Sequence, residues 1–400
     1  MGLLAKSGGT TIIDTPQKLA DMLGVTYESL AGVQVTPETA MRFATVFTCI
    51  RVISESIGIL PCELFEKREN GRFPASDHPV HRLIKVAPNE FMTAAEWKEM
   101  LGACLASRGN FYAWKNVVRG ELRELLPLNP ACVTPKLSDQ WKLTYRVTFP
   151  SGRVLTLPQD QVLHIRLMSK DGVTGMSPIE YARESIGLAK AAEQQGARMF
   201  KQGTRLSGVL STDGELKESA YKRVRDSWET TYSGSENAYK VAILEGGLKF
   251  SPISMSASDA QWVEGRKLQR SEIYGVWRVP PHKAGDLERS TNNNIEHQGR
   301  EFVTDCLMPY LTKIEERYNL SLLSPADQGR FYTKHNVNAL LRGDMTARSN
   351  WLGKLIQNGM LSPNEGRELE DMNPREGGDV YLTPVNMAID GKLIEGKGNA

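Results

Sequence analysis

Apolar residues first fall into a firm pattern at Phe43, Val46, Phe47, Ile50, Ile53 and Ile57, the spacing of one helix face. Thr36-Pro37-Glu38 ahead of them supplies an N-cap, a proline at the first helical position and a first-turn acid, and Gly58 with Pro61 ends the run. A second helix is predicted from Thr93, where Glu96 completes a capping box. Its buried stripe is Trp97, Met100, Leu101, Cys104 and Leu105, and Gly109 closes it. Beyond Gly109 the period changes. FYAWKNVV, LTYRVTF and VLHIRLM alternate or run rich in β-branched and aromatic residues, divided by turn residues such as Pro150-Ser151-Gly152. Residues 36 to about 175 therefore read as one α+β domain.

Ser177-Pro178-Ile179-Glu180 opens a long helix that stops at Gly203. Its side chains are small, with Ala189, Ala191, Ala192 and Gly196 along it. Small residues let helices approach closely, so this helix reads as a contact face; an ordinary surface helix is the alternative. Residues 204–257 then form a compact insert: a strand (SGVLST), a charged helix (LKESAYKRVRDSWETTY) and two strand-like runs, KVAILEGG and LKFSPISM. Another long helix begins at Ser258 and runs to Trp277, a rod of roughly 30 Å. Pro280 and Pro281 stop it. Two long helices thus bracket the insert and put it at the far end of a helical hairpin. A further helix, at about 294–318, carries Phe302, Val303, Cys306, Leu307, Leu311, Ile314 and Tyr318, with Pro309 placed to kink it. Two shorter helices follow at 345–358 and 363–371.

Composition narrows the classes. Forty-nine Lys and Arg stand against 47 Asp and Glu, a formal charge of +2 on 400 residues. A protein that grips nucleic acid by neutralising phosphates is more basic than this, although a protein that lets DNA pass need not be. Five cysteines at irregular spacing read as reduced thiols. No apolar run reaches the length of a membrane span. The start, MGLLAKS, lacks the apolar stretch of a signal peptide and has Lys6 where a myristoylation pattern needs Ser or Thr, so a soluble chain made inside the cell is expected.

Candidate chemistry is sparse. Phosphate-loop, dinucleotide and H-E-x-x-H patterns, paired CxxC motifs and a serine elbow are all missing. His78 and His81 straddle Pro79 in what reads as a loop, with no third ligand near, and His164 reads as a satisfied sheet histidine. No cofactor, metal or catalytic residue is expected. One stretch stands out: VPPHKAGDLERSTNNNIEHQGREF, residues 279–302. His282, Asp286 and His297 allow an acid–base pair to be drawn, and a hydrolytic enzyme built on residues 282–297 is one reading. The other is a surface that touches without gripping. Asn292, Asn293 and Asn294 are neutral donors and acceptors, while Lys283 and Arg289 are offset by Asp286 and Glu288. Asn293 or Asn294 could also cap the next helix. A monomeric DNA-binding module is a third reading, disfavoured by the balanced charge.

The order of these motifs resembles the portal protein family of tailed bacteriophages, in its shorter siphophage-type branch. The carrying stretches are VFTCIRVISESIGILPCELFEK, HPVHRLIKVAPNEFMTAAEW, ASRGNFYAW, VLHIR with GVTGMSPIEYARESI, GVWRVPPHKAG, and LIQNGMLSPNEGRELEDMNPREGGDVYLTP, spread over residues 36–386. The resemblance implies a ring, typically dodecameric, at one capsid vertex, through which double-stranded DNA is packaged and ejected. It implies a virion location, docking of the terminase large subunit and of head–tail connector proteins, contact with the major capsid protein, and no enzymatic turnover. Mapped on this chain, it implies an N-terminal arm (1–35), an α+β wing (36–177), a first stem helix (178–203), a clip (204–257) and a second stem helix (258–278). A tunnel loop (279–294), a kinked helix returning to the wing (295–320), further wing with a short helical crown (321–386) and a polar tail (387–400) follow. On that map His282, Lys283, Asp286, Arg289, Asn292, Asn293 and Asn294 face DNA, Ala189, Ala192 and Gly196 are stem contacts between subunits, and Pro309 makes the kink.

Overall fold

The computed structural model describes residues 27–69, 71–202, 208–212, 218–232, 249–252, 257–287, 292–337, 345–370, 372–382, 388–389 and 392–393. The chain divides into two compact units, Met1–Ile59 with Leu64–Thr333, and Leu60–Glu63 with Lys334–Ala400.

In the larger unit Thr36 caps α1 (Pro37–Ala40), its hydroxyl accepting from Thr39 N. A turn then separates α1 from α2 (Ala44–Ile59), so the single predicted helix is two. β1 (Cys62–Arg68) and β2 (Gly71–Pro74) form an antiparallel hairpin. The His78-Pro79 step, expected in a loop, opens α3 (Pro79–Lys85): His78 Nδ1 accepts from Val80 N at 3.2 Å, and proline suits the first helical turn. α4 (Ala94–Arg108) has the predicted Thr93–Glu96 capping box. It packs tightly on α2, where a Cβ on Gly102 would stand 3.0 Å from Ser54 Cα. Trp97, on its buried face, donates its indole N–H to Tyr318 at 2.9 Å and meets Phe111 edge-on.

The strands follow in two antiparallel sheets. β3 (Asn110–Val118) lies between β4 (Glu121–Leu128) and β8 (Val162–Arg166). β5 (Val133–Leu137), β6 (Leu143–Thr148) and β7 (Val154–Pro158) form a meander. Between the sheets His164 is buried with both ring nitrogens engaged. Asn110 Nδ2 donates to Gly175 O and Arg108 O, which turns its Oδ1 towards Gly175 N and towards His164 Nε2 at 3.1 Å. That fixes the neutral tautomer with the proton on Nε2, leaving Nδ1 to accept from Tyr145 Oη at 3.2 Å. Tyr112 stacks on the ring at 4.3 Å. Gly109 and Gly175 let the chain close here. Gly109 has φ 69°, and a Cβ on it would stand 2.0 Å from Met176 O, so no other residue fits.

α5 (Pro178–Tyr181) and α6 (Arg183–Gln202) replace the one long helix predicted, with a break at Ala182. β9 (Gly208–Ser211), α7 (Glu218–Tyr232) and β10 (Lys249–Pro252) follow; β9 and β10 pair antiparallel, and the predicted strand KVAILEGG lies outside the described residues. α8 (Ala257–Trp277) then runs back against α6. Gly196 is the close point. A Cβ there would stand 2.9 Å from Trp262 Cζ2, and Arg266 lies over the Trp262 ring while reaching Glu193 at 3.9 Å. Ala189 is 3 % exposed. Ala189 and Gly196, expected at a contact between subunits, are thus covered here by their own chain. Ala192 is half-buried beside them.

α9 (Asn292–Glu301), a π-helical turn (Phe302–Leu307) and α10 (Met308–Leu322) follow as one run. β11 (Phe331–His335) adds to the free side of β1. In the smaller unit, α11 (Met345–Gln357) and α12 (Pro363–Leu369) match the two predicted short helices, the second with a Ser362–Glu365 capping box. All five cysteines are free thiols, and burial pushes Cys49 and Cys306 up to about 12, where neither is reactive.

Two outcomes are expected from this packing. Burial, with Arg166 and Arg317 nearby, holds His164 down to about 3, so below pH 6.5 the unfolded chain binds a proton the native state refuses. Stability is then lost as pH falls: urea unfolding of the parent should weaken by about 2 kcal/mol more than that of His164→Gln between pH 6.5 and 4.5. Gly196→Leu should cost about 1–3 kcal/mol by overpacking against Trp262, and Trp262→Ala should reduce that cost when the two are combined.

Candidate functional site

The dense polar stretch begins where α8 ends, and that end is held by five hydrogen bonds. Trp277 is 2 % exposed and donates its indole N–H to Ala106 O at 2.8 Å. Cys306 Sγ donates to Trp277 O at 3.1 Å. Arg278 takes φ 53°, closing the helix as glycine usually does: Val279 N donates to Tyr274 O and Arg278 N to Gly275 O. A non-glycine residue in that region costs about 1 kcal/mol. The guanidinium of Arg278 also reaches Asp305 O at 3.3 Å.

That last contact explains Pro309. In an α-helix the residue at 309 donates to the carbonyl at 305, and proline has no N–H to give. The sequence predicts a kink at Pro309 itself. The structure instead puts the irregularity one turn earlier: Met308 N donates back to Val303 O across a π turn, and Pro309 then sits in the first turn of α10, where a missing donor is harmless. Asp305 O, to which Pro309 has no hydrogen to give, accepts from Arg278.

Beyond Arg278 the chain is also ordered. Pro281–Ala284 form a single 3-10 turn, ended by Gly285 at φ 83°. His282 Nδ1 lies 2.8 Å from Gln298 Oε1, and the Lys283 ammonium sits 5.9 Å over the Phe302 ring, so the turn is tied to two successive turns of the helix behind it. Asp286 N donates to Pro281 O. Lys283 and Leu287 are exposed. Arg289 lies outside the described residues. Asn292, Asn293 and Asn294 occupy the first turn of α9 rather than the loop, a correction to the span 279–294. Three asparagines are poor helix formers, but near a helix start their competition with the backbone matters least.

This geometry gives little to an enzyme. His282 is engaged by Gln298, and His297, the other half of the drawn acid–base pair, is exposed on α9. Among the described residues no group of three or more His, Cys, Asp or Glu could hold a metal ion, and no helix is long and apolar enough to cross a membrane. Of the residues that organise the site, Trp277 and Arg278 lay in a stretch that carried the family resemblance and Cys306 on a helical stripe, but nothing in the sequence paired them with Ala106, Asp305 or one another.

Residues 44–371 match the family model described as phage portal protein. The portal protein of Enterobacteria phage HK97 is 32% identical over 360 residues, covering 88% of this chain and 84% of that one. The fold is similar to chains from the neck of gene transfer agent particles. One, from an empty particle computed with sixfold symmetry, has a TM-score of 0.64 at 25% identity, covering 85% of this chain and 94% of that one. Another, from a native particle computed with twelvefold symmetry, has a TM-score of 0.62 at 23% identity over the same shares of the two chains. With most of its length matched by the family model and by a relative of nearly its own extent, this chain belongs to the phage portal protein family.

Proposed function

We propose that copies of this chain close into a ring of about twelve around a channel that double-stranded DNA crosses on its way into and out of a capsid. In this reading the ring sits at the portal vertex of a virion, with the major capsid protein around it. The terminase large subunit and the head–tail connector proteins dock on it, and the chain itself turns over no substrate. The observation that carries the reading is the pair α6 and α8: two antiparallel rods of roughly 30 Å, locked at Gly196 and Trp262, with a pinned polar turn at one end. Such a pair is long enough to wall a section of channel. Residues 36–177 then act as wing, 178–203 and 258–278 as stem, 204–257 as clip and 279–294, the loop with the first turn of α9, as the tunnel segment, with 344–372 in a small crown. His282, Lys283, Asp286, Arg289 and Asn292 to Asn294 would lie towards DNA.

The chemistry of the loop suits passage. A sliding duplex presents phosphates at every position, and a site that fixed them tightly would stall it. Lys283 and Asp286 roughly cancel, and amide groups offer bonds that exchange easily with water.

Two measurements test this. Mass photometry and negative-stain microscopy of the purified chain should show particles of many subunits with an open centre; a uniform small particle without a pore would refute the ring. Binding to two duplexes of unrelated sequence should be weak, equal within about twofold, and lost as salt rises from 50 to 200 mM. A strong preference for one sequence would refute the conduit. Substituting His282 and His297 by Ala should leave assembly intact.

A further inference from the structure

The seam between α6 and α8 uses Glu193 and Gly196 on one helix, Trp262 and Arg266 on the other. Half a turn round from the seam each helix presents a second stripe. On α6 it is Leu188, Ala191, Gln195 and Arg198, at alternating steps of three and four, beyond Glu184, whose carboxylate accepts from Leu30 N at 2.8 Å. On α8 it is Glu264, Leu268, Ser271 and Gly275, at the same steps. All are exposed except the half-buried Ala191, and the leucines stand out, Leu188 at 53 % and Leu268 at 63 % exposure. At 100° per residue both stripes lie opposite the seam, so they look outward from the two flanks of the pair.

We infer that these stripes are the two halves of one contact between copies of this chain, the α6 flank of one copy lying on the α8 flank of the next. The inference rests on the ring reading above and names the surface that closes it. Closure by rotation requires two different faces per copy, one for each neighbour, and the flanks supply them. Their chemistry is complementary. Each carries an exposed leucine; the α6 stripe has Arg198 towards the end where the α8 stripe has Glu264.

The register comes from the seam itself. The helices run antiparallel, with Gly196 beside Trp262 and Glu193 beside Arg266. A rotation about an axis along the pair leaves every residue at its own height, so the same register carries over to the neighbour. Ala191 then faces Leu268 of the next copy, a small residue opposite a large one. Leu188 faces Ser271, and Arg198 comes within a turn of Glu264. Gly275, where an added Cβ would meet nothing within 4 Å, leaves a notch at the far end. The contact expected at Ala189 and Gly196 moves to the opposite side of the same helix.

Disulfide crosslinking tests this on the full chain. Within one copy the two stripes face apart across both helices, beyond the roughly 7 Å Cα separation a disulfide tolerates, so any crosslink between them joins two copies. The double variant Ala191→Cys with Leu268→Cys, assembled and oxidised with copper phenanthroline, should give a ladder of multiples of one chain on a non-reducing gel, collapsing with dithiothreitol. Each single variant should give no more than the parent chain, whose own thiols are the control. Leu188→Cys with Ser271→Cys is a second pair should the first assemble poorly. If parent and variant particles form, by mass photometry, and neither pair gives a ladder, the flanks do not meet and this inference fails while the ring stands. If the parent forms no multi-subunit particle, the ring reading fails and the inference with it.

Discussion

The termination of α8 at Trp277 and Arg278 is the constraint on which the functional geometry depends. A rod of about 30 Å amplifies any slack at its base, so its direction is only as well defined as its anchor. Here the anchor is covalently continuous and doubly tied. The indole of Trp277 holds α8 to the end of α4, and Cys306 and Arg278 hold it to the π turn. The body beneath is closely packed: α2 and α4 approach through glycines, and Trp97 bridges α4 to α10 through Tyr318. A thiol pushed up to about 12 is a poor nucleophile but an adequate hydrogen-bond donor, and that is the use Cys306 is put to.

The same anchor sets the polar turn after it. His282 and Lys283 bind consecutive turns of one helix, at Gln298 and Phe302, so the turn follows that helix as a unit. The helix in turn carries the π turn and Pro309, which has no hydrogen to give Asp305 O. Arg278 donates to it instead. In the ring reading proposed above, a conduit would use this combination: a polar surface with little net charge, kept in place by contacts to the helix behind it rather than by bonds to whatever passes in front. Phosphate-binding strength and positional rigidity are thereby separated, which a cluster of exposed arginines could not achieve.

Much of this was legible in the residues. The capping boxes at Thr93 and Ser362, the proline starts at Pro37 and Pro178, the change of period after Gly109 and the family's order of motifs set the element types, and the buried His164 followed from its apolar strand. Each of these signals lies within a few residues of the feature it specifies, because a cap is a bond between neighbours and a period is a property of one element. What stayed hidden involved partners far apart in the chain. Nothing near Gly196 names Trp262, some 66 positions on, so the small residues of α6 could not be assigned to a neighbouring copy or to their own. Nothing near Arg278 announces that its guanidinium reaches Asp305 O, which only folding brings alongside. The π turn before Pro309 was equally out of reach: a proline tells where a donor is missing, while the packing of Phe302, Val303, Cys306 and Leu307 decides how the helix absorbs the loss. Local chemistry thus determined which elements this protein has and where they start and stop. Tertiary structure alone decided which faces of α6 and α8 are spent within the chain and which stay exposed, since side-chain burial depends on contacts that no stretch of sequence contains by itself.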